Sequence, residues 1–481
     1  MELDPTGPAW FPAKGRIGRV KRLFGVAVAA TLVVAAATLV PRLGQERLYR
    51  RLLAEGELAL ASGQSQAAIE AFSGAIAVRP ESMVAHYRRG EAYREERQHD
   101  KAIRDLQTAR RLAPGAPQPL VALGKLFDAR GEPSQAAEWY AEAADRLQED
   151  ADPALLYTLA LARYRAGVPV AARDPLRRAL ARDDSMADAH YLLGLVHNDA
   201  HQPDEAILSL ERAVRLAPAM VPAREELANL YRRSQRTADE LQQLRALAAL
   251  DPGRDRQIAI ALAEARDERF ADALATLALA AGAASPDSRI DLAVGRVKLE
   301  HAERTGDRNA IAEARIVLER ALGGTARRSE GLALFGRALY LSGDAAGAER
   351  LLIEAIATSP VDPEAFEFLA DAAERLSHAG VARDALLDLN ALEGSTAPAE
   401  LRAARARRIG ALSLTKGDPH TALEFLNHAI AAGHGDAHTL GLLARALWQT
   451  GDPDGARDAL GRAIALNSRD RELQRLLRTL R

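Results

Sequence analysis

The hydrophobic and polar positions from Met83 to Ala116 follow the period of two short amphipathic helices joined by a turn. Small residues occupy the three positions at which two antiparallel helices would approach most closely: Gly90, Ala102 and Ala109. Large side chains that can fill the space beside them follow at Tyr93 and Leu106. Pro114 ends the second helix, because proline has no backbone N–H and disfavours the helical conformation of the preceding residue. This stretch is therefore predicted to be a helix-turn-helix.

The same pattern returns 34 residues later, where it carries Gly124, Phe127, Ala136, Tyr140 and Ala143. Related units begin near Tyr49, Pro153, Ala187, Val221, Ser329 and Pro363, and two later units contain Gly410 and Ala444. A helix pair that recurs at this period is typical of a repeat solenoid, in which each pair buries its apolar face against the next. We therefore expect an all-α chain of stacked helix pairs.

The pattern loosens between residues 253 and 328. Gly295 and Ala321, the candidate small positions there, lie 26 residues apart, whereas 19 residues separate Gly90 from Ala109. The additional residues predict either a hinge or a lengthened hairpin. In the preceding unit, Glu240 and Leu247 stand where small residues are expected, which predicts a wider spacing between its helices.

This combination of small residues, large apolar residues and closing prolines resembles the tetratricopeptide repeat (TPR) family over residues 49–468. The resemblance implies a right-handed α-solenoid of stacked repeats. Its parts are an N-terminal repeat array over 49–252, degenerate repeats or a hinge over 253–328, and a C-terminal array over 329–468. Residues 469–481 are predicted to form a capping helix, because leucines line only one of its faces.

The N-terminus carries a different signal. Residues 1–22 lack a helical period and end in a basic run, so we expect a disordered basic tail. Residues 23–40 are uncharged, and a helix of that length reaches about 27 Å, close to a hydrocarbon core of roughly 30 Å. Three interpretations remain open: a transmembrane helix acting as a signal anchor, a cleaved signal peptide with Ala35 and Ala37 as its A-x-A site, and a buried helix of a soluble protein.

The first of these interpretations predicts a single-pass protein. The basic run precedes the apolar stretch, so the positive-inside rule predicts a cytoplasmic tail. The repeats would then lie on the extracytoplasmic side of a bacterial inner membrane. Arginine supplies nearly all of the basic charge, which is typical of GC-rich bacterial genomes.

The charge and cysteine content exclude several classes of function. The chain has 64 basic and 66 acidic residues, so it lacks the positive charge typical of nucleic-acid-binding proteins. It contains 0 cysteines, which excludes disulfides, thiol nucleophiles and cysteine metal sites. We therefore expect no nucleic-acid partner.

Motifs for catalysis are missing as well. The sequence contains no P-loop and no GxSxG motif. His197 and His201 have the spacing of a zinc-binding helix, but no HExxH motif surrounds them, and a buried structural role for His197 is favoured. We predict a protein that is not an enzyme and that uses no metal, cofactor or small-molecule substrate.

The TPR resemblance also implies where partners bind. In this family the first helix of each unit supplies the concave binding surface. The corresponding residues here are Tyr87, Glu91, Arg94, Lys125, Asp128, Tyr157, Leu161, Tyr164, Tyr191, Leu195, Asn198, Asn229 and Arg232. Tyrosines at one register in three units could form a ladder that grips a peptide, or could simply pack between neighbouring helices.

Two functions follow from this sequence. The first is a membrane-tethered scaffold for protein–protein interactions in envelope assembly, secretion or polysaccharide export. The second is a dedicated accessory or regulatory subunit of a membrane enzyme complex. In both, the partners are proteins or peptides associated with the membrane or envelope.

Overall fold

The computed structural model describes residues 43–282, 287–323, 328–394 and 397–479. These residues form α-helices joined by short turns, and they contain no β-strand. The helices up to the middle of the chain are α1 (43–61), α2 (Ser65–Val78), α3 (Met83–Glu95), α4 (His99–Leu112), α5 (Gln118–Ala129), α6 (Pro133–Leu147), α7 (Pro153–Arg165), α8 (Pro169–Arg182), α9 (Ala187–Asp199), α10 (Pro203–Leu216) and α11 (Val221–Arg233). They are followed by α12 (Thr237–Leu250), α13 (Arg254–Arg266), α14 (Phe270–Ala281), α15 (Ser288–Thr305), α16 (Arg308–Ala321), α17 (Arg328–Leu341), α18 (Ala345–Ile356), α19 (Pro363–Arg375), α20 (Ala379–Glu393), α21 (Ala399–Thr415), α22 (Pro419–Ala431), α23 (Ala437–Gln449), α24 (Pro453–Leu466) and α25 (Arg471–Thr479).

The chain divides into two compact units, the first ending at Ala223 and the second beginning at Arg224. Within each unit the helices pack as antiparallel pairs, such as α3 with α4, and each pair contacts the next. The predicted all-α repeat fold is therefore confirmed. The predicted tail over 1–22 and transmembrane helix over 23–40 lie outside the described residues. None of the helices in the described ranges has both the length and the apolar character that a membrane span requires.

Capping residues define where many of the helices begin. The Ser82 hydroxyl accepts a hydrogen bond from the Ala85 N–H at 3.1 Å, and the Asp436 carboxylate accepts one from the Thr439 N–H at 2.7 Å. Each satisfies a backbone donor that has no partner inside the helix. Proline occupies the first turn of many of the helices, including α6, α7 and α8, where its missing N–H costs nothing.

Glycine allows the helices of a pair to touch. A methyl group added at Gly90 would lie 2.8 Å from Leu106 Cγ, and one added at Gly336 would lie 2.6 Å from Leu352 Cγ. Real carbon atoms do not approach so closely, so only glycine fits at these contacts. Buried alanines such as Ala102 and Ala109 complete the interface, as their spacing predicts.

The described residues of the segment 253–328 form two helix pairs, α13 with α14 and α15 with α16. The second pair is a lengthened hairpin, since α15 has 18 residues and α13 has 13. Gly295 in α15 contacts Leu318 in α16, just as Gly90 contacts Leu106. Adding about seven residues adds about two helical turns to the hairpin, so the contacting faces keep their register.

Candidate partner-binding grooves

The first unit contains a groove between the first helices of three successive repeats. It has a volume of about 430 Å³ and is lined by residues of α3, α5 and α7 together with Tyr140 and Leu147 of α6. Its apolar part includes Val121 and Leu155, and its polar part includes Tyr87, Glu91 and Lys125. We call it the first-unit groove. It brings together three of the residues predicted to bind a partner.

The polar side of this groove is organised around Tyr87. Burial, followed by the negative charge of Glu91 and a hydrogen bond to it, raises the pKa of Tyr87 to about 12. Glu91 also accepts a hydrogen bond from Arg88 at 2.9 Å. At neutral pH the Tyr87 hydroxyl is therefore protonated and lies beside the Glu91 carboxylate, while the exposed Lys125 adds a positive charge. The groove can contact both apolar and polar groups of a polypeptide.

Other predicted residues have partners within the protein. Asp128 accepts a hydrogen bond from the Tyr140 hydroxyl at 3.0 Å. Tyr157 and Tyr164, both half-buried, pack against the hydrophobic cluster that includes Leu176 and Leu192. Burial, followed by the negative charge of Asp188, raises the pKa of Tyr157. These contacts are those of tyrosines that pack between neighbouring helices.

The remaining predicted residues of the first unit are half-buried on α3, α7 and α9: Arg94, Leu161, Tyr191, Leu195 and Asn198. Leu161 packs against the same hydrophobic cluster as Tyr164. The positive charge of Arg94 is close enough to Tyr140 to lower the pKa of its hydroxyl, although burial, the larger effect, raises that pKa. These five residues do not line the first-unit groove.

In the second unit, Asn229 and Arg232 line cavities between successive first helices. Arg232 donates a hydrogen bond to the Asn229 side-chain oxygen at 2.8 Å. Both line a cavity of about 220 Å³, and Arg232 also lines a larger one of about 570 Å³. We call the larger one the second-unit cavity; it is lined by residues of α11 to α15, including Glu240, Arg266, Phe270 and Glu300.

The sequence analysis did not select several of the lining residues. Val121 occupies the same register in its repeat as Tyr87 does in the one before, so the register rule could have selected it. Glu240 was noted only as an irregular residue, and Glu300 lies in the segment whose repeat pattern is weak. The sequence did contain a signal for Glu240, since it is a charged residue at a position where the helices of other repeats are in close contact.

His197 has the buried role that its sequence favoured. Its side chain is buried in α9, and its Nδ1 lies 3.0 Å from Gln202 Oε1. His201 lies beyond the end of α9 with a φ of 56°, so the two histidines do not share a helix face. Within the described parts of the chain, no group of three or more His, Asp or Glu side chains is placed to hold a metal ion.

The comparisons with known proteins agree with this repeat geometry. A tetratricopeptide repeat model matches residues 53–117, 92–155, 157–221 and 199–255, and a second tetratricopeptide repeat model matches residues 413–480. Together the matches cover more than half of the chain. No curated protein matches the sequence.

Several solved structures are similar to parts of this chain. YrrB, described as a TPR protein with an unusual peptide-binding site, has 17% identity and a TM-score of 0.35, over 38% of this chain and 94% of its own. MamA has 24% identity and a TM-score of 0.34, over 36% of this chain and 93% of its own. A chain of the Naa15/Naa10 complex bound to HypK-THB has 14% identity and a TM-score of 0.37, over 93% of this chain and 76% of its own.

The family models carry the assignment, and their matched ranges include the helix contacts of Gly90 with Leu106 and of Gly124 with Tyr140. TPR proteins generally mediate interactions between proteins and bind protein or peptide partners. The chain belongs to the tetratricopeptide repeat family.

Proposed function

We propose that this protein is a non-enzymatic scaffold that binds an extended segment of a partner protein in the first-unit groove. The observation that carries the proposal is the joint placement of Tyr87, Glu91 and Lys125 beside the apolar residues Val121 and Leu155. A groove with an apolar floor and a few polar groups suits a polypeptide, because apolar contacts supply affinity and hydrogen bonds supply orientation.

The dimensions of the groove agree with this kind of ligand. Packed helices lie about 8–10 Å apart, so three successive first helices span roughly 20 Å. An extended chain rises about 3.3 Å per residue, and about six residues would therefore fit along the groove. The 430 Å³ volume accommodates several side chains of such a segment.

We further propose that the repeats are tethered to the bacterial inner membrane through residues 23–40 and face the extracytoplasmic side. The support is the uncharged sequence of that stretch and the basic run before it. The partners would then be envelope proteins of assembly, secretion or polysaccharide export. The alternative is a dedicated subunit of one membrane enzyme complex, which uses the same groove to hold a single partner.

Photo-cross-linking in intact cells tests the binding site. A photoreactive residue in place of Val121 should cross-link to partner proteins, whereas one at the exposed Gln107 on the second helix α4 serves as the control. Cross-links to several different proteins support a scaffold. Cross-links to a single protein, in a constant ratio to this chain, support a dedicated subunit. If position 121 gives no more products than position 107, the groove is not the binding site.

The tether needs a separate experiment. Because the chain contains 0 cysteines, a Gln107→Cys variant carries one thiol that a membrane-impermeant maleimide can label. We expect the full chain to sediment with membranes and to be labelled from the periplasmic side. Deletion of residues 1–42 should release it from the membrane. Recovery of the full chain in the soluble fraction would contradict the tether, and labelling only after cell lysis would contradict the orientation.

A further inference from the structure

Glu240 is a buried carboxylate at a position that holds alanine in other repeats. Residues at the equivalent position of four preceding repeats are Ala102, Ala136, Ala172 and Ala206. Only 4% of the Glu240 side chain is exposed. Its Oε1 atom accepts a hydrogen bond from Arg266 at 2.6 Å, while its Oε2 atom is buried and has no hydrogen-bond partner among the residues that the structure describes. Leaving a buried carboxylate oxygen without a donor is costly, so this atom indicates a missing partner.

A second carboxyl group, that of Glu300, lines the same second-unit cavity. Burial raises its pKa, and the described residues supply no hydrogen bond to it. Glu300 lies on α15 and Glu240 lies on α12. Hydrogen-bond acceptors from two different repeats therefore line the cavity. Rotation of the terminal torsion of a glutamate is soft, so either oxygen of Glu240 can turn towards the cavity.

The cations around this cavity, in contrast, all have acceptors. Arg232 donates to Asn229 at 2.8 Å, Arg266 donates to Glu240 at 2.6 Å, and Arg304 donates to Glu268 at 2.5 Å. Glu303, the third carboxylate of the lining, accepts from Arg337 at 3.0 Å. The three arginines of the lining therefore already donate to acceptors, whereas Glu240 Oε2 and the Glu300 carboxyl accept no hydrogen bond from the described residues. An anionic ligand would have to displace these pairs, whereas a cationic donor can bond to the free oxygen of Glu240 and to Glu300 without breaking them.

We propose that the second-unit cavity binds the guanidinium group of an arginine side chain from a protein partner, with Glu240 and Glu300 as its acceptors. A guanidinium presents several donors in one plane, which allows it to bond two carboxylates at once. Phe270 and Ala265 line the same cavity and provide apolar surface for the aliphatic part of the arginine. The inference rests on the proposed function as a protein-binding scaffold, and it assigns the chemistry of a second contact site.

Calorimetric titration of the full chain in detergent micelles tests this assignment. The probe is the acetylated, amidated peptide Gly-Ser-Arg-Ser-Gly, compared with the same peptide carrying citrulline, which has nearly the same shape but no charge. We expect the arginine peptide to bind at least tenfold more tightly than the citrulline peptide, because a buried charged pair is lost with citrulline. Equal affinity of the two peptides would overturn the proposal.

Two variants assign the binding to the cavity. Glu240→Ala introduces the residue that the equivalent repeat positions carry, so it is expected to fold, and Glu300→Gln keeps the size of the side chain. Each should weaken binding of the arginine peptide at least fivefold, whereas the control Glu313→Gln, at an exposed site on α16, should leave it unchanged. Unchanged affinity in both cavity variants would overturn the proposal, as would tighter binding of spermidine, which would assign the cavity to a free polyamine.

The outcome also separates this inference from the proposed function. If cross-linking at position 121 succeeds while the arginine peptide shows no charge-dependent binding, the scaffold remains and the arginine site is rejected. If the peptide binds in the cavity but position 121 gives no products, the assignment of the first-unit groove is rejected instead.

Discussion

The ring of Tyr140 lies directly against the backbone of Gly124. A methyl group added at Gly124 would come within 2.6 Å of Tyr140 Cδ1, and the ring is 1% exposed. From this position the Tyr140 hydroxyl reaches Asp128, to which it donates a hydrogen bond at 3.0 Å. Gly124 thus determines how closely α5 and α6 pack, and this packing places the Tyr140 hydroxyl within hydrogen-bond distance of Asp128.

Replacing Gly124 by alanine should destabilise the first unit by about 1–3 kcal/mol, because the new methyl group forces the Tyr140 ring or the helix pair to move. Hydrogen exchange of α5 and α6 amides measures this change locally. Gly115→Ala is the matched control, since nothing lies within 4 Å of a Cβ at Gly115. Equal protection in the two variants would contradict the close contact.

Replacing Tyr140 by phenylalanine should cost about 1–2 kcal/mol, because it removes the hydrogen bond to Asp128 and leaves the ring packing intact. Tyr93→Phe is expected to change stability by less than about 0.5 kcal/mol, since Tyr93 is half-buried and its hydroxyl has no hydrogen bond to any described residue. Urea unfolding followed by circular dichroism compares the two variants. Similar losses in both would show that the Asp128 contact contributes little.

Asp287 caps α15 and makes the stability of the second unit depend on pH. Hydrogen bonds from Arg289 lower its pKa from the ordinary 3.8 to about 2, against the effect of burial. The carboxylate therefore stabilises the folded chain above about pH 4, and this contribution is lost as the pH falls towards 2. Asp287→Asn should lower the thermal midpoint at pH 5, and the two proteins should converge near pH 2.

Thermal melts between pH 2 and 5 check the Asp287 prediction. The control is Asp454→Asn, at an aspartate whose side chain is 89% exposed in the first turn of α24. A difference between wild type and Asp287→Asn that stays constant over this pH range would rule out the charge of Asp287 as its cause.

Arg337 is a buried cation that joins three helices of the second unit. It is 8% exposed, donates to Glu303 at 3.0 Å, and lies 5.1 Å from the centre of the Phe368 ring. Arg337→Met keeps the aliphatic stem but leaves Glu303 without its partner, so we expect a loss of about 1–3 kcal/mol. Guanidinium chloride unfolding measures it.

The control for Arg337 is Arg328→Met, which breaks the exposed pair with Glu354 and should cost less than about 0.5 kcal/mol. The two substitutions change the same atoms, so only burial and partners differ. If both cost the same, the contacts of Arg337 with Glu303 and Phe368 would not be the source of its effect.

The residues that form the helix contacts could be predicted from the sequence, whereas the binding residues could be predicted only in part. The register rule placed Tyr87, Glu91 and Lys125 on one surface, and they do line one groove. The rule also placed Asp128 on that surface. Asp128, however, accepts a hydrogen bond from Tyr140, a residue of the second helix in the same repeat. A rule that considers only first helices cannot detect such a contact.

The sequence by itself determined the helices, their pairing and the family, because each repeat folds through contacts between residues close in the chain. Gly90 and Leu106 meet within one unit, so a spacing of 16 residues is enough to predict the contact. Only the tertiary structure decided how side chains from different repeats share a cavity. Glu240 and Glu300 are 60 residues apart and line the same space, since α13 packs against both of their helices. No local pattern encodes that distance.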